Sequence, residues 1–178
     1  MSQKWNSRVQ FPQDNFVIRC TDENFGPSKS SQNPMITLEF ELQSPDEIEV
    51  AGEKYTVAGE KINNVYLITQ VIEDGTLNVE KTQKCAKRIE DMYRVFNLDF
   101  STFNPENPVL GFKGKLVHAR LYGAKEEVRK SPTSEQLKAG IKQGDILLNP
   151  ITKQPLLQYR IAIAEVYGLA AEETGKAY

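Results

Sequence analysis

The chain has 178 residues, of which 39% are hydrophobic and 26% are charged, and its formal net charge is −2. This length and composition are typical of one folded domain and exclude a disordered chain. The small net charge excludes a globally basic nucleic-acid binder, so any charged binding site has to be local.

The small number of cysteines and histidines also limits the kinds of metal and catalytic site that the chain can form. Two distant cysteines and a single histidine do not supply the ligands of a common zinc site, and one histidine without a placed nucleophile makes no catalytic triad. We therefore expect no metal, no cofactor and no enzymatic activity. No apolar run approaches the ~18 residues of a membrane span, so the expectation is a cytoplasmic protein with reduced thiols and no membrane partner.

The first part of the chain is predicted to lead into a sheet. Residues 1–14 are polar apart from Trp5 and Phe11 and are expected to form a flexible lead-in. A strand is predicted at 16–20, followed by a mobile, serine-rich loop at 25–33. Ile36, Leu38, Phe40 and Leu42 then alternate with polar residues, which is the period of a strand with one buried face.

The middle of the chain contains the main predicted helix. A weaker extended segment at 49–57 and a β-branched strand at 64–71 precede it. The helix is predicted over 79–97, with Asn78 as its N-cap and a stripe of apolar residues at helical spacing, made up of Cys85, Ile89, Met92 and Phe96.

Two strands are predicted after the helix. They cover 114–122 and 158–166 and are separated by a long polar connection at 123–155, while 168–178 is expected to be a flexible tail. Residues 15–167 therefore form the domain, which is mainly β with a helix between the third and fourth strands. This order favours a five-stranded Greek-key barrel of the OB-fold type, and another small α+β domain is the alternative.

The first loop and one basic segment are the candidate sites. The loop lacks the glycine before the lysine that a phosphate-binding loop needs, and a strand follows it where such a loop would start a helix. Residues 113–130 carry six cations and two carboxylates, a balance of +4. The candidate nucleic-acid-binding residues are those of the loop and of this segment, with two flanking cations: Arg19, Phe25, Lys29, Lys113, Lys115, Arg120, Tyr122, Lys125, Arg129, Lys130 and Arg160. For each of them an ordinary solvated or packed position is the alternative.

Aromatic residues lie between these cations. In GKLVHARLY (114–122), period 2 predicts Val117, Ala119 and Leu121 on the buried face. His118, Arg120 and Tyr122 then share the outer face, where exposed rings stack bases and cations contact phosphates. Tyr122 is also compatible with core packing, and core packing is the interpretation that we prefer for Tyr159.

Two stretches carry a resemblance to a known family. SKSSQNPMITLEFEL (28–42) and GFKGKLVHARLY (111–122) resemble small bacteriophage proteins related to single-stranded-DNA-binding proteins. The resemblance implies an OB-fold and sequence-independent binding of single-stranded DNA in phage replication or recombination. The end of the chain, AAEETGKAY, departs from the acidic tail with a hydrophobic tip that many bacterial members carry, so recruitment of partners through such a tail is not expected.

The expected function is therefore binding of single-stranded DNA through a basic groove with aromatic stacking. Replication or recombination proteins and a second copy of the chain are the further partners that this function allows. The alternative is a phage structural or protein-interaction module on the same barrel, which the weak net charge favours.

Overall fold

A computed structural model describes residues 2–141 and 143–171. Within these residues the fold is mainly β, as predicted, with ten strands and two helices and 13% of the residues in helices. The first strands are β1 (Gln3–Lys4), β2 (Asp14–Pro27), β3 (Pro34–Ser44), β4 (Glu47–Val50), β5 (Glu53–Thr56) and β6 (Lys61–Ile68). They are followed by β7 (Ile72–Glu73), β8 (Thr76–Leu77), α1 (Val79–Val95), β9 (Leu116–Glu127), α2 (Ser134–Lys138) and β10 (Leu157–Leu169).

Five strands form the main sheet, in the order β10-β9-β2-β3-β6, and every neighbouring pair is antiparallel. Helix α1 comes between the third and fourth of these strands along the chain, as predicted. Asn78 is its N-cap, because the Asn78 side chain accepts a hydrogen bond from the Lys81 N–H at 3.0 Å. The helix ends two residues earlier than predicted, at Val95.

The described residues do not close into a barrel, so the predicted five-stranded Greek-key barrel is at most partly formed. Strands β6 and β10 are the two edges of the sheet, and within residues 2–141 and 143–171 no strand pairing joins them. Both edge strands are irregular: β10 shifts register against β9 at Ala164 and again at Tyr167, and β6 shifts register against β3 between Ile62 and Val65. Bulges bend a strand and blunt its edge against further pairing.

The core lies between the inner face of the sheet and α1. Val117, Ala119 and Leu121 of β9 are fully buried, as the alternation predicted. From α1, Tyr93 packs edge-on against Phe112, with ring centroids 5.1 Å apart, and its hydroxyl donates to the Val109 carbonyl at 2.8 Å. Burial raises the pKa of Tyr93 to about 12.

The N-terminal segment is packed into the domain. Strand β1 pairs with β5 in a second, three-stranded sheet with the order β1-β5-β4. Trp5 and Phe11, which the sequence marked as isolated apolar points of a loose lead-in, are 8% and 2% exposed. Their rings meet edge to face at 5.9 Å, so the residues expected to precede the domain contribute to its core.

At the other end, β10 is longer than predicted. It continues to Leu169, and the Ala170 N–H donates to the Leu116 carbonyl at 2.9 Å. The start of the predicted tail at residue 168 is therefore part of the sheet, while residues 172–178 lie outside the described residues. No helix in the described part of the chain is long and apolar enough to cross a membrane.

Candidate nucleic-acid interface

The loop between β2 and β3 is a short turn with its own hydrogen bonds. Strand pairing extends to Pro27 and Pro34, which leaves only residues 28–33 outside the ladder. The Ser28 Oγ accepts the N–H groups of Ser30 and Ser31, each at 3.3 Å, and the Ser28 N–H donates to the Asn33 carbonyl at 2.8 Å. Ser28 and Asn33 are each 7% exposed. These bonds favour an ordered turn over the mobile loop that the composition suggested.

Of the two loop residues that were singled out, only Lys29 lies in the turn. It is exposed there and lines an open cleft. Phe25, by contrast, lies in β2 opposite the buried Ile36, and its ring packs against the core. Its assignment as a loop aromatic is therefore wrong, because the β2–β3 ladder runs further than the turn-forming residues suggested.

The outer face of β2, β3 and β6 carries an exposed tyrosine. Asn24, Thr37 and Tyr66 stand opposite one another in register, and opposed residues of neighbouring strands share a face. Tyr66 is 52% exposed although it lies within a strand of the main sheet. Together with the turn, this row lines a cleft of about 600 Å³.

A second cleft continues from Tyr66 toward the opposite end of the sheet. It is lined by Lys61, Asn63, Asn64, Tyr66 and Arg160, and its volume is about 550 Å³. Arg160 belongs to β10 and also bonds Glu126, with its Nη1 atom 3.3 Å from Oε2. We call the surface formed by Lys29, Thr37, Lys61, Asn64, Tyr66 and Arg160 the Tyr66 face.

Three further candidates lie where β9 and β10 run beyond the rest of the sheet. Lys125, Arg129 and Lys130 are all exposed. Lys125 stands opposite Tyr159, which is partly buried against the core as preferred. Arg129 is held in place, because its Nη1 donates to the Gly144 carbonyl at 3.1 Å. Arg129 and Lys130 belong to an arm, residues 128–156, that connects β9 to β10, and Lys125 lies in β9 just before this arm.

The two lysines that precede β9, and Arg19 of β2, have structural partners. The Lys115 Nζ donates at 3.0 Å to the carbonyl of Phe96, the C-cap residue of α1. The Arg19 Nη1 donates to the Gly114 carbonyl at 2.6 Å. Lys113 remains exposed, with its Nζ 3.8 Å from the Asp22 carboxylate. The basic segment read from the sequence is therefore divided among separate positions and does not form one stripe.

The outer face of β9 carries the trio that the alternation predicted. His118 and Tyr122 are exposed, Tyr122 by 38%, and Arg120 lies between them. The Arg120 guanidinium already has partners within the protein, since its Nη2 lies 3.6 Å from the Glu165 carboxylate and its Nη1 lies 3.5 Å from the Tyr167 hydroxyl. This face remains a second candidate surface.

Tyr66 and Lys61 were missed from the sequence although a signal for Tyr66 was available. The strand at 64–71 was recognised from its β-branched and aromatic residues, but its two faces were not separated. Val65 and Leu67 face the core, and the alternation between them turns Tyr66 outward.

Comparison with known proteins gives no further identification. No family model matches the chain, and no curated protein or solved structure matches it. Among the described residues, no group of three or more histidines, cysteines, aspartates or glutamates is placed to hold a metal ion.

Proposed function

We propose that this protein binds single-stranded nucleic acid across the Tyr66 face without reading its sequence. The observation that carries the proposal is the half-exposed Tyr66 ring, which lines two adjoining clefts with Lys29 at one end and Lys61 and Arg160 at the other. Aromatic rings on a sheet stack bases of any sequence, and flanking cations contact the phosphates. Single-stranded DNA in phage replication or recombination is the context that the sequence resemblance supports.

The connectivity of the sheet supports the OB-fold within this proposal. Three successive antiparallel strands, β2, β3 and β6, are followed by α1, and β9 then returns to pair with β2. An OB-fold is a partly open five-stranded barrel that binds oligonucleotides on its second and third strands and on its first and fourth connecting loops. The corresponding parts here are β3, β6, the turn at 28–33 and the arm, and the first three of these line the Tyr66 face.

The charges fit weak, salt-dependent binding. Between the terminal cations, the middle of the Tyr66 face offers hydroxyl and amide groups from Thr37 and Asn64. Glu39 and Glu41 lie on the outward side of the same strand, β3, and oppose a nucleic-acid backbone there. Lys61 stands opposite Glu41 in the β3–β6 ladder, so a strand that reaches Lys61 passes this acidic end of β3, which weakens its binding.

A pair of matched tyrosine variants tests the proposal. Tyr66→Ala should weaken binding of a short oligo(dT) at low salt by about 5- to 150-fold, corresponding to the ~1–3 kcal/mol of one stacked base. Its melting temperature should stay near that of the wild type, because the ring is half exposed. Tyr122→Ala is the control, since its ring is similarly exposed on the other candidate face. If only Tyr122→Ala weakens binding, the strand follows β9 and the assignment of the Tyr66 face is wrong.

The alternative function, a protein-interaction module, is favoured by the arm. Three of its apolar side chains are largely exposed, Leu137 by 59%, Leu148 by 51% and Ile151 by 88%. Exposed apolar side chains concentrated in one segment are typical of interaction sites. Failure of the wild-type chain to bind any oligonucleotide at low salt would favour this function.

A further inference from the structure

A small hairpin at one end of the main sheet exposes apolar side chains beside carboxylates. Strands β7 and β8 form it, and Ile72 and Leu77 stand opposite each other in register, so they share a face. Ile72 is 40% exposed and Leu77 44%, while Val79, two residues further along the chain, is 58% exposed. We call residues 72–79 the acidic hairpin, since both of its charged residues are carboxylates.

One of the two carboxylates has no partner. Glu73 forms an ion pair with Lys81 of α1. Asp74 lies in the turn between β7 and β8, where it is exposed, and within the described part of the chain its carboxylate has no ion-pair or hydrogen-bond partner. The acidic hairpin therefore offers an apolar face beside a carboxylate that is available for pairing.

The tip of the arm exposes apolar side chains beside a cation. It is an ordered turn, because the Asn149 side chain accepts the Ile151 N–H at 2.8 Å and the Asn149 carbonyl accepts the Lys153 N–H at 2.9 Å. Ile151 is 88% exposed and Leu148 is 51% exposed. Lys153 is the one charged residue in this segment, residues 148–155, which we call the arm tip. Among the described residues, the Lys153 ammonium has no partner.

The acidic hairpin and the arm tip belong to opposite ends of the main sheet. The hairpin lies beside the turn at 28–33, since the Ile72 N–H donates to the Asn33 side chain at 3.0 Å. The arm leaves the sheet at the other end, because β9 and β10 run on past the pairing of Leu121 with Asp14, the first residue of β2. Strand β2 joins these ends over 14 residues, which is about 45 Å. The two segments of one chain are therefore separated, and each is open to a second copy.

We propose that a second copy of this chain docks its acidic hairpin on the arm tip. Ile151 packs against Ile72 and Leu77 of the other copy, and Lys153 pairs with Asp74. The two surfaces are complementary, since each is apolar and their unpaired charges have opposite signs. Because the surfaces differ, the contact is heterologous and repeats from copy to copy, which gives a chain or a ring. Each contact is small, so the association should be weak.

End-to-end association goes beyond the proposed function and has a consequence for it. The Tyr66 face extends between the same two ends, with Lys29 in the turn beside the acidic hairpin and Lys61 at the start of β6, toward the arm. Successive copies would therefore follow one another along a bound strand. This consequence rests on the proposed function, whereas the contact itself does not.

Charge-reversal variants test the contact in the absence of nucleic acid. Sedimentation velocity from about 20 to about 500 µM, the range of weak association, should show wild-type species that grow beyond a dimer as the concentration rises. Asp74→Lys and Lys153→Asp should each weaken self-association by about 3-fold or more, because each brings like charges together. An equimolar mixture of the two variants should restore association, because each hairpin then meets an arm tip of opposite charge.

A second pair of variants tests the apolar part of the contact. Ile151→Ser should weaken self-association by about 10-fold or more, the effect of losing one buried isoleucine side chain. Val109→Ser is the control, since Val109 is an aliphatic residue that is 80% exposed outside both surfaces, and it should change nothing. Association that stops at a dimer and is insensitive to Asp74→Lys would show that two arms pack on each other. A monomer at every concentration would leave the arm to a different protein. Either result overturns the end-to-end contact and leaves the proposed function standing, because oligonucleotide binding is measured separately.

Discussion

Replacing Lys115 with alanine is expected to destabilise the fold without weakening nucleic-acid binding. The Lys115 ammonium donates to the Phe96 carbonyl at the C-terminus of α1, where carbonyls lack partners within the helix. A hydrogen bond from a charged group contributes about 1.5–3 kcal/mol when buried, and a cation at a helix C-terminus contributes about 0.3–1 kcal/mol. Since Lys115 is only half-buried, we expect the free energy of unfolding to fall by about 1–2 kcal/mol.

Thermal unfolding and oligo(dT) titration of the same preparations measure both quantities. For a chain of this size 1 kcal/mol lowers the melting temperature by about 2–4 °C, so a fall of about 2–8 °C is expected. Lys113→Ala is the matched control, because its 3.8 Å contact with Asp22 is exposed on both sides and should contribute little to stability. A Lys115→Ala protein with unchanged melting temperature but weaker oligonucleotide binding would show that this lysine contacts the phosphates and that the structural assignment is wrong.

Three further predictions follow from the same contacts. If the three cations of the Tyr66 face each contact one phosphate, the logarithm of the binding constant should fall against the logarithm of the salt concentration with a slope of about −2, at ~0.7 per contact. A slope near zero would show that these cations do not contact phosphates. Burial raises the pKa of Cys20 and of Tyr93 to about 12, whereas in the unfolded chain these two groups lose their protons at about pH 8.5–10. The urea midpoint should therefore be constant below about pH 8.5 and fall as the pH rises toward 12. Tyr93→Phe should reduce this fall. Gly123→Ala should cost about 1–3 kcal/mol in urea denaturation, because its added Cβ would lie 2.9 Å from the Phe11 carbonyl oxygen; an unchanged midpoint would show that the N-terminal segment packs less tightly than the structure indicates.

The strands were predictable from the sequence where one face is buried. The alternation from Ile36 to Leu42 and from Val117 to Leu121 records a local constraint, since each inward position has to be apolar whatever its partner strand is. Asn78 was likewise predictable, because an N-cap bonds the backbone three residues along the chain. Features decided by neighbours in space were not: nothing local to Trp5 or Phe11 indicates that their rings pack into the domain core.

The site residues were harder to predict for the same reason. Tyr66 became a candidate only when the register placed it beside Thr37 and between clefts that begin at the turn and at β10. The opposite error was made for Phe25, which was predicted as a loop residue because its neighbours in sequence form turns. Its partner across the ladder is the buried Ile36, and Phe25 therefore lies in a strand. Exposure of an aromatic ring depends on pairing between distant segments, and composition does not record that pairing.

The fold separates cations that lie close together in the sequence. The basic stretch 113–130 reads as one patch, but a strand advances about 3.3 Å per residue, so its ends are separated by tens of ångströms along β9. The fold then gives each cation different surroundings. Lys115 bonds the end of α1, Arg120 pairs with a carboxylate of β10, and Lys130 is exposed to solvent. A cation that already satisfies a carbonyl or carboxylate must give up that partner before it can bind a phosphate. The cations best able to neutralise phosphates are therefore exposed ones that lie beside an exposed ring, and among the described residues Lys29 lies in a cleft with Tyr66 in this way. Lys61 also lines a cleft with Tyr66, but it stands opposite Glu41 in the ladder.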